Sequence, residues 1–148
     1  MSVGTLDGAK SEIRDEAGAE NFFLFGLTED EVTELKPTYN PRFIIDNDAD
    51  LKRVVDLLES GHFNQCEEGC FDDIIAAFTS PNDPWMTVAD FHSYVEAQQR
   101  AAEVYQDKER WIAMSIMNSA NSGMFSTDRT MEEYNNDIWK LEKINPRY

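Results

Sequence analysis

Several short stretches of this 148-residue chain bring together side chains that could do chemistry. Asp46-Asn47-Asp48-Ala49-Asp50 is dense enough in oxygen ligands to suggest a calcium loop. The spacing argues otherwise: no glycine stands at the sixth position, no glutamate stands at the twelfth, and Leu51 follows at once. Capping of the next helix accounts for these acids better. Cys66 and Cys70, with His62 four residues earlier, offer thiolate and imidazole to zinc, but no second ligand pair lies near them. His92 follows Phe91 on a helical segment and reads as a satisfied or exposed histidine. Ser126 and Asp128 lack a histidine beside them, so Ser126-Thr127-Asp128-Arg129 reads as a helix cap with an arginine that ties two helices together. Trp85, Trp111 and Trp139 read as core or interface anchors. The expected catalytic, cofactor-binding and metal residues of this chain are therefore none.

The elements that would hold such residues are organised around positions 4–27. Ser2-Val3 enters a small-residue turn, Gly4-Thr5-Leu6-Asp7-Gly8-Ala9. A charged helical segment containing Ile13 follows. It leads to Phe22-Phe23-Leu24-Phe25, consecutive large apolar residues between Asn21 and Gly26, as in a strand buried on both faces. Strand, helix and strand in this order predict a βαβ unit with parallel strands and a right-handed crossover. A parallel sheet needs further strands, and nothing after residue 27 supplies them. The pair therefore reads as the end of a larger sheet.

The rest is helix and turn. Thr28 caps a helix and Glu31 completes the capping box, with Val32 and Leu35 facing inward and Lys36-Pro37 ending it. Phe43-Ile44-Ile45 fits a short helical or an extended segment. Leu51, Val54, Val55, Leu57 and Leu58 share a helix face that Ser60-Gly61 terminates. A short amphipathic helix covers residues 71–78 and a proline loop covers 80–84. Two long helices come next. Residues 87–105 are expected to bury Val88, Phe91, Tyr94, Val95, Ala102 and Tyr105, and residues 108–122 carry Trp111, Ile112, Met114, Ile116 and Met117, with Gly123 ending the helix. The last helix, capped around Ser126, shows Met131, Tyr134, Ile138 and Trp139. The class is α/β but mostly α: two short parallel strands followed by about six packed helices.

Lys and Arg number 13 against 29 Asp and Glu, a formal net charge of −16. That balance excludes nucleic acid as an expected partner and disfavours an anionic membrane surface. No apolar window reaches the length of a membrane span, no secretory signal pattern opens the chain, and the cysteines make no disulfide framework. A cytoplasmic, reduced location is expected.

Four stretches in order, SVGTLDGA, GAENFFLFGLT, VADFHSYVEAQQRAAEVY and MFSTDRTMEEYNNDIW, resemble the carboxyl-terminal end of the glycogen and α-glucan (maltodextrin, starch) phosphorylases. The resemblance covers residues 2–140. It implies that residues 2–148 are the carboxyl-terminal part of a Rossmann-like cofactor domain in a two-domain glycosyltransferase, with strand-helix-strand over 2–27 and the helical part over 28–148. Members hold pyridoxal 5′-phosphate on a lysine and use phosphate to split α-1,4-glucan to glucose 1-phosphate. The resemblance places that lysine and the glycine-rich phosphate segment upstream of Met1, so none of their positions can be assigned here. Where the family has asparagine after Asp7-Gly8-Ala9, this chain has Lys10. As a surrogate Schiff-base amine Lys10 would need desolvation or a neighbouring cation, and the sequence around it supplies neither. A solvent-facing position in the first helical turn is expected.

The expected role is that of a scaffold and domain brace, inactive by itself, with no cofactor in this chain. Its partners are the rest of a phosphorylase chain or another copy of itself, in a homo-oligomer that covers Val3 or the apolar edge of Phe22 to Phe25. α-Glucan and phosphate would be met only through the full-length parent. The alternative is a free-standing acidic helical module that binds a protein.

Overall fold

The structure, a computed structural model, describes residues 1–65, 67–142 and 144. It opens with strand β1 (Ser2–Gly4), helix α1 (Gly8–Ala17) and strand β2 (Phe22–Leu24). The strands pair in parallel, with Ser2 opposite Phe22, Val3 opposite Phe23 and Gly4 opposite Leu24. The expected βαβ unit is present, and among the described residues its sheet has two strands. Asn21, buried at the turn into β2, donates from Nδ2 to the Ala17 carbonyl at 2.8 Å and so satisfies the end of α1.

Seven helices follow β2 among the described residues. Helix α2 (Glu29–Leu35) starts at the capping box the sequence signals: Thr28 Oγ1 accepts from Glu31 N–H, and Glu31 Oε2 accepts from Thr28 N–H at 2.8 Å. Helix α3 (Pro41–Asp46) settles the segment that fits either helix or strand. Pro41 occupies its first turn and Asn40 Oδ1 accepts from Phe43 N–H at 3.1 Å. This helix is the difference from the expected six. Helix α4 (Ala49–Glu59) is capped by Asp48, and helix α5 (Asp72–Thr79) precedes the proline loop. Helices α6 (Phe91–Gln106) and α7 (Lys108–Ala120) form the long hairpin. Helix α8 (Thr127–Tyr134) is capped by Ser126 and runs on into a π-helical turn, Asn135–Trp139.

Two apolar clusters hold these pieces. Tyr39, Ile45, Leu51, Val55, Met86 and Val88 bury one another among α2 to α6. Phe23, Ala97 and Met114 form the second, where Val3 and Phe25 also meet Ala101, Val104 and Trp111. Here the expected inner faces need correction. On α6, Tyr94 and Tyr105 are exposed and Ala102 with them, whereas Ala97 is fully buried. Close approach of α6 to Phe23 and Met114 leaves room for a methyl group and not for a ring, so the small residues face inward. On α7, Trp111 and Met114 face the core, while Ile112, Ile116 and Met117 are exposed. The helix also stops at Ala120, and a 3₁₀ turn (Asn121–Phe125) takes in Gly123.

The run Phe22 to Phe25 is buried at its start, as expected of a strand covered on both faces, with Leu24 and Phe25 half-buried. Phe22 and Phe23 are both 7% exposed, so the chain covers its own apolar strand. Trp85 is 79% exposed and Trp139 51%, so neither is a core residue. Trp111 is packed, edge-on to Tyr105.

Candidate functional site

Two features stand at the ends and edges of the strand pair. Backbone groups of a strand point alternately to its two sides. Phe25 N–H donates to the Gly4 carbonyl at 3.1 Å, so the groups of Phe23 and Phe25 face β1 and those of Leu24 and Gly26 face outward. That outward side of β2 is closed by α6. Arg100 Nη2 donates to the Leu24 carbonyl at 2.7 Å, and Gly26 N–H donates to Ser93 Oγ at 2.9 Å. Leu27 N–H, one residue on, donates to Asp90 Oδ1 at 3.0 Å. Gly26 itself sits at φ +88, and a Cβ there would lie 2.7 Å from Thr5 Cγ2 and 3.0 Å from Asp90 Oδ2, so only glycine fits.

The same alternation turns Ser2 and Gly4 toward β2 and points Val3 N–H and C=O away from it. Among the described residues no strand pairs with that side of β1. The sheet is closed at β2 and open at β1. Asn118 fixes β1 at that opening: its Oδ1 accepts from Ser2 Oγ at 2.9 Å, and its Nδ2 donates to the carbonyls of Asn21 and Met114, each at 2.9 Å.

Beyond the carboxyl ends of the strands lies a cleft of about 1050 Å³ between the Gly4–Ala9 turn and helices α2, α4, α5 and α6. Phe25, Leu27, Val54, Leu58, Trp85 and Tyr94 make it largely apolar, and Asp7, Lys10, Glu29 and Asp90 bring charge to it. Burial pushes the Asp90 carboxyl above its ordinary range, against the opposing pull of the Leu27 N–H. On the far side of the first cluster, Asp83 is 6% exposed and accepts from Trp85 N–H at 2.9 Å, Thr87 N–H at 2.8 Å and Tyr39 OH at 3.4 Å. Burial, then the Asp83 charge, push the Tyr39 hydroxyl up to about 12.

The residues that suggested chemistry are dispersed. Asp48 Oδ1 caps α4, accepting from Asp50 N–H at 3.0 Å and Leu51 N–H at 2.9 Å, and its Oδ2 meets His92 Nε2. The Leu51 N–H, with His92 adding, holds the Asp48 carboxyl below its ordinary range. Asn47 donates to the Phe43 carbonyl at 2.8 Å, a helix-end contact. His62 stacks edge-on against Phe63, Cys70 is an exposed free thiol, and Cys66 lies outside the described residues. No group of three or more His, Cys, Asp or Glu side chains among the described residues could hold a metal ion. Ser126 Oγ accepts from Arg129 N–H at 3.2 Å, and Arg129 Nε donates to the Met124 carbonyl at 2.6 Å, tying α8 to the turn after α7. Arg100, Asn118 and Ser93 carry the architecture of the strand pair, and no local pattern marks their contacts to Leu24, Ser2, Asn21 and Gly26, which lie 67 to 116 positions away.

The described residues thus form a mostly helical fold on a two-stranded parallel sheet, with the cleft beyond the carboxyl ends of the strands. The carbohydrate phosphorylase family matches residues 1–141. The chain belongs to that family. A glycogen phosphorylase from Synechocystis sp. is 46% identical over 145 residues, which cover 97% of this chain and 17% of that protein. The brain form of human glycogen phosphorylase is 39% identical over 143 residues, 96% of this chain and 17% of its own length. One from Chlamydia pneumoniae is 36% identical over 141 residues, again 17% of its length. The chain therefore spans about 17% of the length of these relatives.

Pyridoxal 5′-phosphate does not fit the described residues. Lys10 is exposed on the first turn of α1, its methylenes crossing Gly4, and it shares the cleft with Asp7, Glu29 and Asp90. A phosphate needs converging N–H donors and cations there, not carboxylates.

Proposed function

We propose that this chain is the carboxyl-terminal portion of an α-glucan phosphorylase, ending the Rossmann-like sheet of the cofactor domain and bracing it. In the full-length protein the activity is phosphorolysis of α-1,4-glucan to glucose 1-phosphate. The chain supplies neither the cofactor lysine nor the phosphate cradle and is inactive alone. The observation that carries this reading is the asymmetry of the strand pair: β2 is covered by Arg100 and Ser93, whereas among the described residues no strand pairs with the N–H and C=O of Val3. An edge of that kind accepts another strand, here from the remainder of the parent. The exposed Ile112, Ile116, Ile138 and Trp139 give that remainder an apolar surface to pack on. A cytoplasmic location and assembly into a homo-oligomer through the parent belong to the same reading. Among the described residues no helix is long and apolar enough to cross a membrane.

A second reading, a free-standing acidic module that binds a protein, is favoured by the two apolar clusters the chain closes by itself. Complementation separates the two. The Synechocystis glycogen phosphorylase lacking its matching segment is mixed with this chain, pyridoxal 5′-phosphate, maltodextrin and phosphate. Association and release of glucose 1-phosphate, with neither polypeptide active alone, are expected. Failure to associate overturns the proposal in favour of the module, and turnover by this chain alone overturns both.

A further inference from the structure

We draw no further inference here: the strongest candidate, the apolar cleft between the carboxyl ends of β1 and β2 and helices α4 to α6 with Trp85 at its rim, belongs to the site already described, and nothing in the structure shows what covers it.

Discussion

Arg100 donates to the Leu24 carbonyl at 2.7 Å across 76 positions of sequence, and this contact closes the outer edge of β2. A guanidinium bonded to a strand carbonyl occupies the site where a neighbouring strand would donate. Arg100→Ala should lower stability by about 1 kcal/mol, since the freed carbonyl lies near solvent. Urea denaturation measures this, and an unchanged midpoint would show that the contact contributes nothing.

Asn118 ties β1, the turn before β2 and α7 together through Ser2, Asn21 and Met114. Asn118→Ala removes all three bonds and should cost about 2 kcal/mol. Asn121→Ala is the control, because Asn121 Nδ2 bonds only the Met117 carbonyl at the end of α7, a local contact at an exposed site. Faster amide exchange should be confined to the strand-pair amides of Gly4, Phe23 and Phe25 in the Asn118 variant. Equal losses in both variants would remove the bracing role.

Val3→Pro deletes the outward N–H of β1 without touching the bonds that Ser2 and Gly4 make to β2. Proline is tolerated on an edge strand. The isolated variant should melt close to the parent chain yet fail in complementation, whereas Val3→Ala, which keeps the N–H, should complement. Activity restored by the proline variant would mean that β1 accepts no strand.

Tyr39 should set an alkaline limit. Its folded-state value of about 12 stands above the ordinary 10.0. The stability it contributes is therefore full below the ordinary value and is lost as pH rises through the folded one. Denaturation midpoints of the parent chain should fall more steeply than those of Tyr39→Phe over that window. Parallel curves would exclude the ionisation of Tyr39 as the cause.

Asp90 follows the same sign as Tyr39 in the acid range, since its carboxyl too is raised by burial. Burial raises its carboxyl above the ordinary 3.8, so the stability from this group is complete below that value and declines as pH rises through the raised one. Asp90→Asn keeps an oxygen for Leu27 N–H and removes the charge. At neutral pH the variant should equal or exceed the parent in stability, and its advantage should shrink on acidification. An advantage that grows as pH falls would refute the sign.

The sequence by itself determined what depends on neighbours a few residues apart. Thr28 with Glu31, Asp48 with Leu51, and Ser126 with Arg129 are caps closed within three positions, so residue type and spacing suffice. The βαβ order of Ser2 to Leu24 is legible for the same reason, because Phe22 and Phe23 form an apolar run between a buried asparagine and a glycine.

Tertiary structure alone decided which faces turn inward and which sheet edge stays open. Periodicity groups Phe91, Tyr94, Val95, Ala102 and Tyr105 as the inner side of α6, and it does not weigh them against Ala97. The closeness of β2 and α7 selects Ala97 and Ala101 and turns Tyr94 and Tyr105 outward. Arg100 with Leu24, and Asn118 with Ser2, meet only once the chain has closed on itself, over 76 and 116 positions. No local pattern encodes a contact at that separation, since it arises from how packed layers bring distant backbone and side chains together.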